Sequence, residues 1–368
     1  MVMIPAFFEV PTCLCASYGE AFASMEESRN VTIKDIAKKA NVSAATAGRV
    51  LGKYGKTSEA TRVKVEQAAR ELNYIPNLLA QGIRKQASGT IAVVVPDIHN
   101  NFFSGVVAAI ERQARDHEYM LMICNTNESK ELEEKYLGSL ASKQVDGIVI
   151  CSTFQNKEEI SKHLYNSVFR KIPMVFFDRK IENLDRQTIL TNNFDTSYAI
   201  TKYLVGLGHK HIATIGSKSK NNALFTVKER ENGYYKALKD TGLSSEAISI
   251  ELDHYDEKDT FEAIERLTDR DDITAYIVFN NSLCPAFLEE MTKKGKTFPQ
   301  DYSLVTWDDE QFDKILNISS IQQPLTEIGE IAVSRLLDQI GSGKQFNSNI
   351  TITLSNQFVK RRSCRAIV

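Results

Sequence analysis

Apolar and polar positions change their period once, sharply, near residue 90. Before it, apolar residues recur every three or four positions: Ile33, Ile36, Ala37 and Ala40 in one run, then Val63, Ala69 and Leu72 in another. That recurrence predicts amphipathic helices. Thr32 opens the first run as T-I-K-D, with Asp35 at the third helical position of a capping box. Asn41-Val42 makes a short turn, and Ser43 can cap a second helix running to Leu51. A loop over 52–56 follows, and Ser58 can cap a third helix. Two short helices across a tight turn, then a third, predict a helix-turn-helix whose second helix, 44–51, is shaped to enter a DNA major groove.

From Thr90 onward short apolar runs alternate with amphipathic stretches. The runs are 91–95, 120–124, 147–151, 174–177, 211–215, 275–279 and 304–307. Val106, Val107, Ile110 and Ala114 mark one intervening helix, and Tyr198, Ile200, Thr201 and Leu204 another. Buried strands alternating with helices predict an α/β body of parallel sheets flanked by helices. The length, 368 residues, leaves room for two such lobes beside the helical module. In that architecture ligands bind beyond the carboxyl ends of the strands.

Charge sharpens the division. Residues 30–89 hold eleven lysines and arginines against four acids, a net charge of +7, whereas residues 90–368 carry −6. A compact basic module on an acidic body is the footprint of a part that meets phosphate. Hydrophobic residues make up 42% of the chain and charged residues 25%, which excludes a mainly disordered protein. No apolar run approaches the roughly 20 residues of a transmembrane helix, so no membrane partner is expected. The six cysteines form no C-x-x-C pair, which argues against a disulfide framework or zinc ribbon and for a reducing cytoplasm. His209-x-His211 lacks companion ligands, and two ordinary histidines at a strand start is the expectation; no metal or cofactor is expected. Residues 1–29 follow neither helical nor strand period and have no basic segment before an apolar one, so a signal peptide is not expected. Met25 precedes the first periodic segment, and residues 1–24 read as an extension from an early start codon.

The stretch VTIKDIAKKANVSAATAGRVL, with TSEATRVKVEQAARELNYIPNLLAQGIRK after it, resembles the DNA-binding head of the lactose-repressor/galactose-repressor family over about residues 31–88. By that resemblance Ala44, Ala45 and Arg49 stand at base-reading positions. Arg49 can donate two bonds to a guanine, and the two alanines can touch only methyl groups or shape. Thr32, Ser43, Thr46, Ser58, Thr61 and Lys56 fall at DNA-facing positions suited to the phosphate backbone. Residues 76–85 resemble the family's hinge helix, with Asn77 and Ala80 on it and Ile83 at the position that wedges into the minor groove. Ala47-Gly48 replaces the family's usual valine-serine, which leaves the operator sequence open. The resemblance implies homodimers on a near-palindromic double-stranded operator, in the cytoplasm at the nucleoid.

The strand ends of the body carry Asn100, Phe102, Phe103, Asp178, Arg179, Arg230, Asn280, Asp308 and Gln323. Carboxylates, amides and arginines can serve vicinal hydroxyls, and aromatic rings can cover a sugar's C–H face. The same positions resemble the sugar-binding set of ribose-type periplasmic receptors, whose fold that repressor family shares. The resemblance implies discontinuous lobes: lobe one near 90–190 plus 325–349, lobe two near 191–324 plus 350–368. Asn101 replaces a usual proline there, and Asn281 a usual aspartate. The implied function is a repressor of sugar-utilisation genes released by a ribose-like monosaccharide. The alternative is a regulator needing a small corepressor or a phosphorylated carrier protein. A sugar-modifying enzyme fits poorly. No G-x-G-x-x-G links a strand to a helix, and Gly341-Ser-Gly343-Lys344 lacks the rest of a P-loop. A periplasmic receptor fits poorly too, given the basic head and no leader.

Overall fold

The structure, a computed structural model, describes residues 31–52, 54–74, 88–219, 222–223, 225–252, 257–342 and 350–367. The expected N-terminal extension and the hinge positions Asn77, Ala80 and Ile83 lie outside the described residues. The chain forms two compact units, Met1–Lys85 and Gln86–Val368.

In the first unit, α1 (Ile33–Lys39), α2 (Ala44–Leu51) and α3 (Glu59–Glu71) enclose a small core of Ile36, Ala37, Ala40, Ala47, Val50, Val65, Ala68 and Ala69. The Asp35 carboxylate accepts from the Thr32 N–H (2.9 Å) and hydroxyl (2.7 Å), closing the start of α1. Ser43 caps α2 by accepting from the Thr46 N–H at 3.1 Å, and Ser58 caps α3 from Thr61 at 3.3 Å. One expectation is corrected: Val63 is 49% exposed. The inward face of α3 is Val65, Ala68, Ala69 and Leu72, spaced as one helical stripe, and Val63 points away from it.

The second unit holds two sheets. The first is built from β1 (Thr90–Val95), β2 (Met120–Asn125), β3 (Gly147–Ile150), β4 (Met174–Phe177), β5 (Thr188–Thr191) and β12 (Thr351–Leu354), in the order β12-β5-β4-β3-β1-β2 and parallel throughout. The second holds β6 (Ile212–Ser219), β7 (Asn222–Ala223), β8 (Ile248–Leu252), β9 (Ala275–Val278), β10 (Ser303–Trp307), β11 (Ser319–Gln322) and β13 (Gln357–Val359), in the order β13-β11-β10-β9-β6-β7, with β8 also paired to β6. Both sheets therefore share one winding. Their first strand lies between the second and third parallel strands, and the turns on either side of it part company, opening a crevice at the carboxyl end.

The central strands are buried on both faces, which is why they read as unbroken apolar runs, whereas β2 at the sheet edge leaves Met120 and Ile123 exposed. Ile91, Val93 and Val95 pack into one core of the first lobe, and Ala92 and Val94 into the other. β9 divides likewise, with Tyr276 and Val278 on one side and Ala275, Ile277 and Phe279 on the other. The helices α4 (Asn101–Asp116) and α5 (Lys130–Ser142) flank the first sheet. The second is flanked by α6 (Asn193–Gly206), α7 (Phe225–Asp240), α8 (Glu257–Thr268), α9 (Cys284–Lys293) and the short α10 (Gln311–Leu316). Then α11 (Leu325–Ser342) returns to lobe one and lies so close to α4 that a β-carbon on Gly329 would stand 2.5 Å from that of Ala109.

The lobes are discontinuous, but one boundary differs from expectation. Residues 350–354 do not belong with lobe two: β12 extends the first sheet beside β5, from Thr351 opposite Thr188 to Leu354 opposite Thr191. The chain joins lobe two only at β13, antiparallel to β11. T-I-T-L is an edge strand with polar residues at alternate positions, and nothing in that pattern says which sheet it borders.

Candidate functional site

In the first unit the exposed face of α2 carries Ala44, Ala45 and Arg49, while Ala47, Gly48 and Val50 are buried. The hydroxyls of Ser43 and Thr46 lie 2.8 Å apart at the start of α2, and those of Ser58 and Thr61 2.8 Å apart at the start of α3. Each pair sits where unsatisfied backbone N–H groups and the helix dipole favour an anion. Lys56 is exposed in the loop between these helices, as is Thr32 before α1. Gly55 takes φ +74°, and the Arg49 Cδ lies 3.6 Å from where its β-carbon would stand, so the loop folds back along the arginine stem.

In the second unit three charged side chains lie near one another between the lobes. Asp178 follows β4 and Asp308 follows β10, both in the left-handed backbone region at φ 63° and 68°. A residue with a β-carbon is held there at a cost of roughly 1–3 kcal/mol, a strain that clusters at ligand sites. Arg230, from α7, sits in the field of both carboxylates. Its Nε donates to the Asn193 Oδ1 at 2.8 Å, its Nη1 donates to the Phe279 carbonyl, and its guanidinium carbon lies 4.3 Å above the Trp307 ring. Burial brings the Arg230 pKa down to about 10 against the opposing pull of Asp308 and Asp178. Burial likewise raises both carboxyl groups above the ordinary aspartate value, with Arg230 opposing it in each case.

Asp308 is tied to the chain crossings. It accepts from the Gln323 amide at 2.6 Å, and the Gln323 oxygen accepts from the Thr191 hydroxyl at 3.2 Å. Thr191 ends β5, where the chain first leaves lobe one, and Gln323 lies where it returns. At the third crossing the Asn356 N–H donates to Asn192 at 2.8 Å. Beside Asp308 and Gln323 lies a cavity of about 620 Å³ whose walls include Asn101, Phe102, Glu310 and Leu325. That volume is in the range of small-molecule sites.

Other expected residues are placed differently. Phe103 is 6% exposed and packs edge-on against Phe102 (5.1 Å) and Phe177 (6.3 Å) in the lobe-one core. Asn100 caps α4 by accepting from the Phe102 N–H at 2.9 Å. Asn280 caps the next turn, accepting from the Ser282 N–H at 3.1 Å and hydroxyl at 2.7 Å. Arg179 turns toward a second, smaller cavity, where its fork is closed on Glu128 at 2.8 and 2.6 Å.

Sequence reasoning passed over Glu128, Asn193 and Glu310. Trp307 was visible as the aromatic before Asp308 at a strand end, but the other three carry no local signal. The histidines bind within the protein. Both ring nitrogens of His209 meet protein oxygens, at Thr274 (2.9 Å), Ser303 (2.9 Å) and the Arg365 carbonyl (3.1 Å). Nδ1 of His211 lies 3.2 Å from Glu246 and 3.5 Å from Asp272.

Residues 32–77 match the family described as "Bacterial regulatory proteins, lacI family", and residues 88–362 match "Periplasmic binding proteins and sugar binding domain of LacI family". The chain is 32% identical over 325 residues to the "Probable HTH-type transcriptional regulator EndR" of Paenibacillus polymyxa, covering 87% of this chain and 94% of that protein. It is 30% identical over 314 residues to the HTH-type transcriptional repressor PurR of Aliivibrio fischeri, covering 84% and 91%. Among solved structures, the lac repressor dimer bound to operator and the anti-inducer ONPF superposes with a TM-score of 0.78 at 25% identity, over 92% of this chain and 100% of that one. These relatives are regulators, not enzymes, and among the described residues no helix is long and apolar enough to cross a membrane. A helix-turn-helix joined to a two-lobed sugar-binding-type body makes the chain a transcriptional repressor of the lacI family of bacterial regulatory proteins.

Proposed function

We propose that this protein binds a near-palindromic operator as a homodimer and is released from it by an uncharged monosaccharide held between the lobes, so that it represses sugar-utilisation genes in the cytoplasm. The observation that carries the reading is the clustering of Asp178, Arg230 and Asp308 in the interlobe crevice, with Gln323 linking Asp308 to the chain crossings. Carboxylates beside a forked donor bind vicinal hydroxyls in both directions, as acceptors and as a donor. On the DNA side, Arg49 reads a guanine. Ala44 and Ala45 admit close approach. Thr32, Ser43, Thr46, Lys56, Ser58 and Thr61 meet the backbone, and Asn77, Ala80 and Ile83 act at the minor groove. The match to a sugar-binding domain and to an operator-bound dimer supports this arrangement.

Ligand closing the lobes and operator holding the heads together are coupled equilibria. The test is operator affinity, by fluorescence anisotropy on full-length protein, with and without each monosaccharide that raises its melting temperature. Release by such a sugar is expected. Equal operator affinity with and without every stabilising sugar refutes induction, and tighter binding reverses its sign to corepression.

A further inference from the structure

Arg179 was expected to face the effector directly, yet its guanidinium is committed elsewhere. Glu128 closes on it with two parallel bonds, and the side chains are 8% and 9% exposed. Glu128 is not there by accident of a long surface side chain. It follows β2 in a turn where Asn127 and Glu128 both adopt left-handed backbone, at φ 49° and 56°. The Glu128 N–H donates to the Pro96 carbonyl at 3.2 Å. A strained, hydrogen-bonded turn thus aims one carboxylate at one guanidinium. The pair forms part of the wall of the second interlobe cavity, with Ser152, Thr153 and Phe225. The Nε of Arg179 remains buried without a hydrogen-bond partner, 3.9 Å from the Asp178 carboxylate.

The charge balance follows. At the interlobe centre stand Asp178, Asp308 and Arg230, one positive group against two carboxylates, and Glu128 cancels the second buried cation. Lys228 of the same cavity is exposed and Lys180 half-exposed, where water screens them. Among the described residues of the crevice the buried cation not closed in an ion pair is Arg230, which donates to Asn193 and the Phe279 carbonyl and lies in the field of both aspartates. A phosphate or carboxylate on the effector would enter beside those two carboxyl groups as well, and desolvating a poorly balanced charge is strongly unfavourable. An uncharged hydroxyl meets no such penalty, and its lone pair suits the orphan Nε.

We propose that Glu128 determines the charge of the effector: by closing the fork of Arg179 it restricts the crevice to uncharged polyols and leaves Nε alone to donate to a ligand oxygen. This rests on the interlobe crevice being the effector site, and it adds a residue that rejects phosphorylated and acidic sugars.

The test uses full-length protein, Glu128→Gln, and the double variant Glu128→Gln/Arg179→Met, by thermal shift and calorimetric titration. The probes are inorganic phosphate against chloride at matched ionic strength, and paired neutral and phosphorylated sugars. Phosphate bound by the basic head is common to all three proteins and cancels in the comparison. Glu128→Gln should bind phosphate about tenfold or more tightly than wild type, and the double variant should lose that gain. A folded Glu128→Gln that gains nothing overturns the proposal. So does a wild-type protein that binds a phosphorylated sugar more tightly than its neutral parent, a comparison that stands even if the variant does not fold. If no neutral sugar binds wild type while the phosphate arm behaves as stated, the monosaccharide reading fails and the role of Glu128 stands.

Discussion

Replacing Asp308 by asparagine separates binding from stability. The Asp308 carboxylate accepts from Gln323 at 2.6 Å and faces Arg230, which burial has brought down to about 10. Asparagine keeps an oxygen for Gln323 but loses the charge and presents N–H groups where the effector offers hydroxyl hydrogens. A hydrogen bond to a charged group contributes ~1.5–3 kcal/mol, so effector affinity should fall roughly 10- to 150-fold. Stability should move the other way. Burial holds the Asp308 pKa above the ordinary aspartate value, so its favourable contribution is present at low pH and is lost as pH rises through the folded pKa. Above the folded pKa the ionised carboxylate costs stability, and Asp308→Asn removes that cost while Asp178 remains near Arg230. The melting temperature should hold or rise, operator binding should persist, and release by sugar should disappear. Anisotropy on operator DNA with titrated sugar, beside a thermal melt, reads all three. Normal release by sugar would remove Asp308 from the site; lost operator binding with a fall of more than about 5 °C would show it to be structural instead.

Asp313 makes the clearest pH prediction. Fully buried, it accepts from Thr306 (2.8 Å), the Glu310 N–H (2.9 Å) and Asn281 (3.3 Å), and burial pushes its pKa up to about 6. Its contribution is complete below the ordinary value and lost as pH rises through about 6, amounting to roughly 2–3 kcal/mol, so wild type should lose stability relative to Asp313→Asn between about pH 4 and 6. Parallel melting curves for the two across that window would contradict it. Arg49→Ala should cost ~1–3 kcal/mol at one base pair and relax specificity there, seen by anisotropy on an operator series; a loss uniform across sequences would make Arg49 a phosphate contact. Gly329→Ala should destabilise the body by ~1–3 kcal/mol in denaturant melts, because its β-carbon would stand 2.5 Å from that of Ala109, and an unchanged midpoint would contradict the close approach of α11 to α4.

The head was legible because its information is local. Capping residues, helical period and charge all lie within some forty residues, and Thr32, Ser43 and Ser58 open the helices where the sequence places them. The body was legible wherever a strand is buried on both faces, as at β1, β4 and β9, since such strands read as apolar runs. It was illegible at T-I-T-L, a half-exposed edge strand paired far away in sequence, and at S-S-I-Q, where the buried Ser319 and Ser320 interrupt the apolar run. The site divides along the same line. Asp178 and Asp308 stand at strand ends and could be read from position alone. That Arg179 belongs to Glu128 could not be read, because fifty-one residues separate them and only the fold brings them together.

Induction as proposed needs the ligand to act on the angle between lobes, and the hydrogen bonds at the chain crossings offer a place for it to do so. Binding energy spent in a crevice moves nothing unless some contact exists in one lobe arrangement and not the other. Asp308 belongs to lobe two, Thr191 ends a lobe-one strand, and Gln323 joins them across two crossings at 2.6 and 3.2 Å. An effector competing for the Asp308 oxygen therefore draws directly on a bond that helps fix the crossings. The coupling so obtained is bounded: a shift from one part in a hundred to ninety-nine needs ~5.5 kcal/mol of differential affinity, more than one charged hydrogen bond provides. Asp308 alone cannot switch the protein. On the induction proposed above, Asp178 and Arg230 must also bind the closed form better than the open one, and since coupling is reciprocal, operator DNA must then weaken the effector by the same factor that the effector weakens the operator.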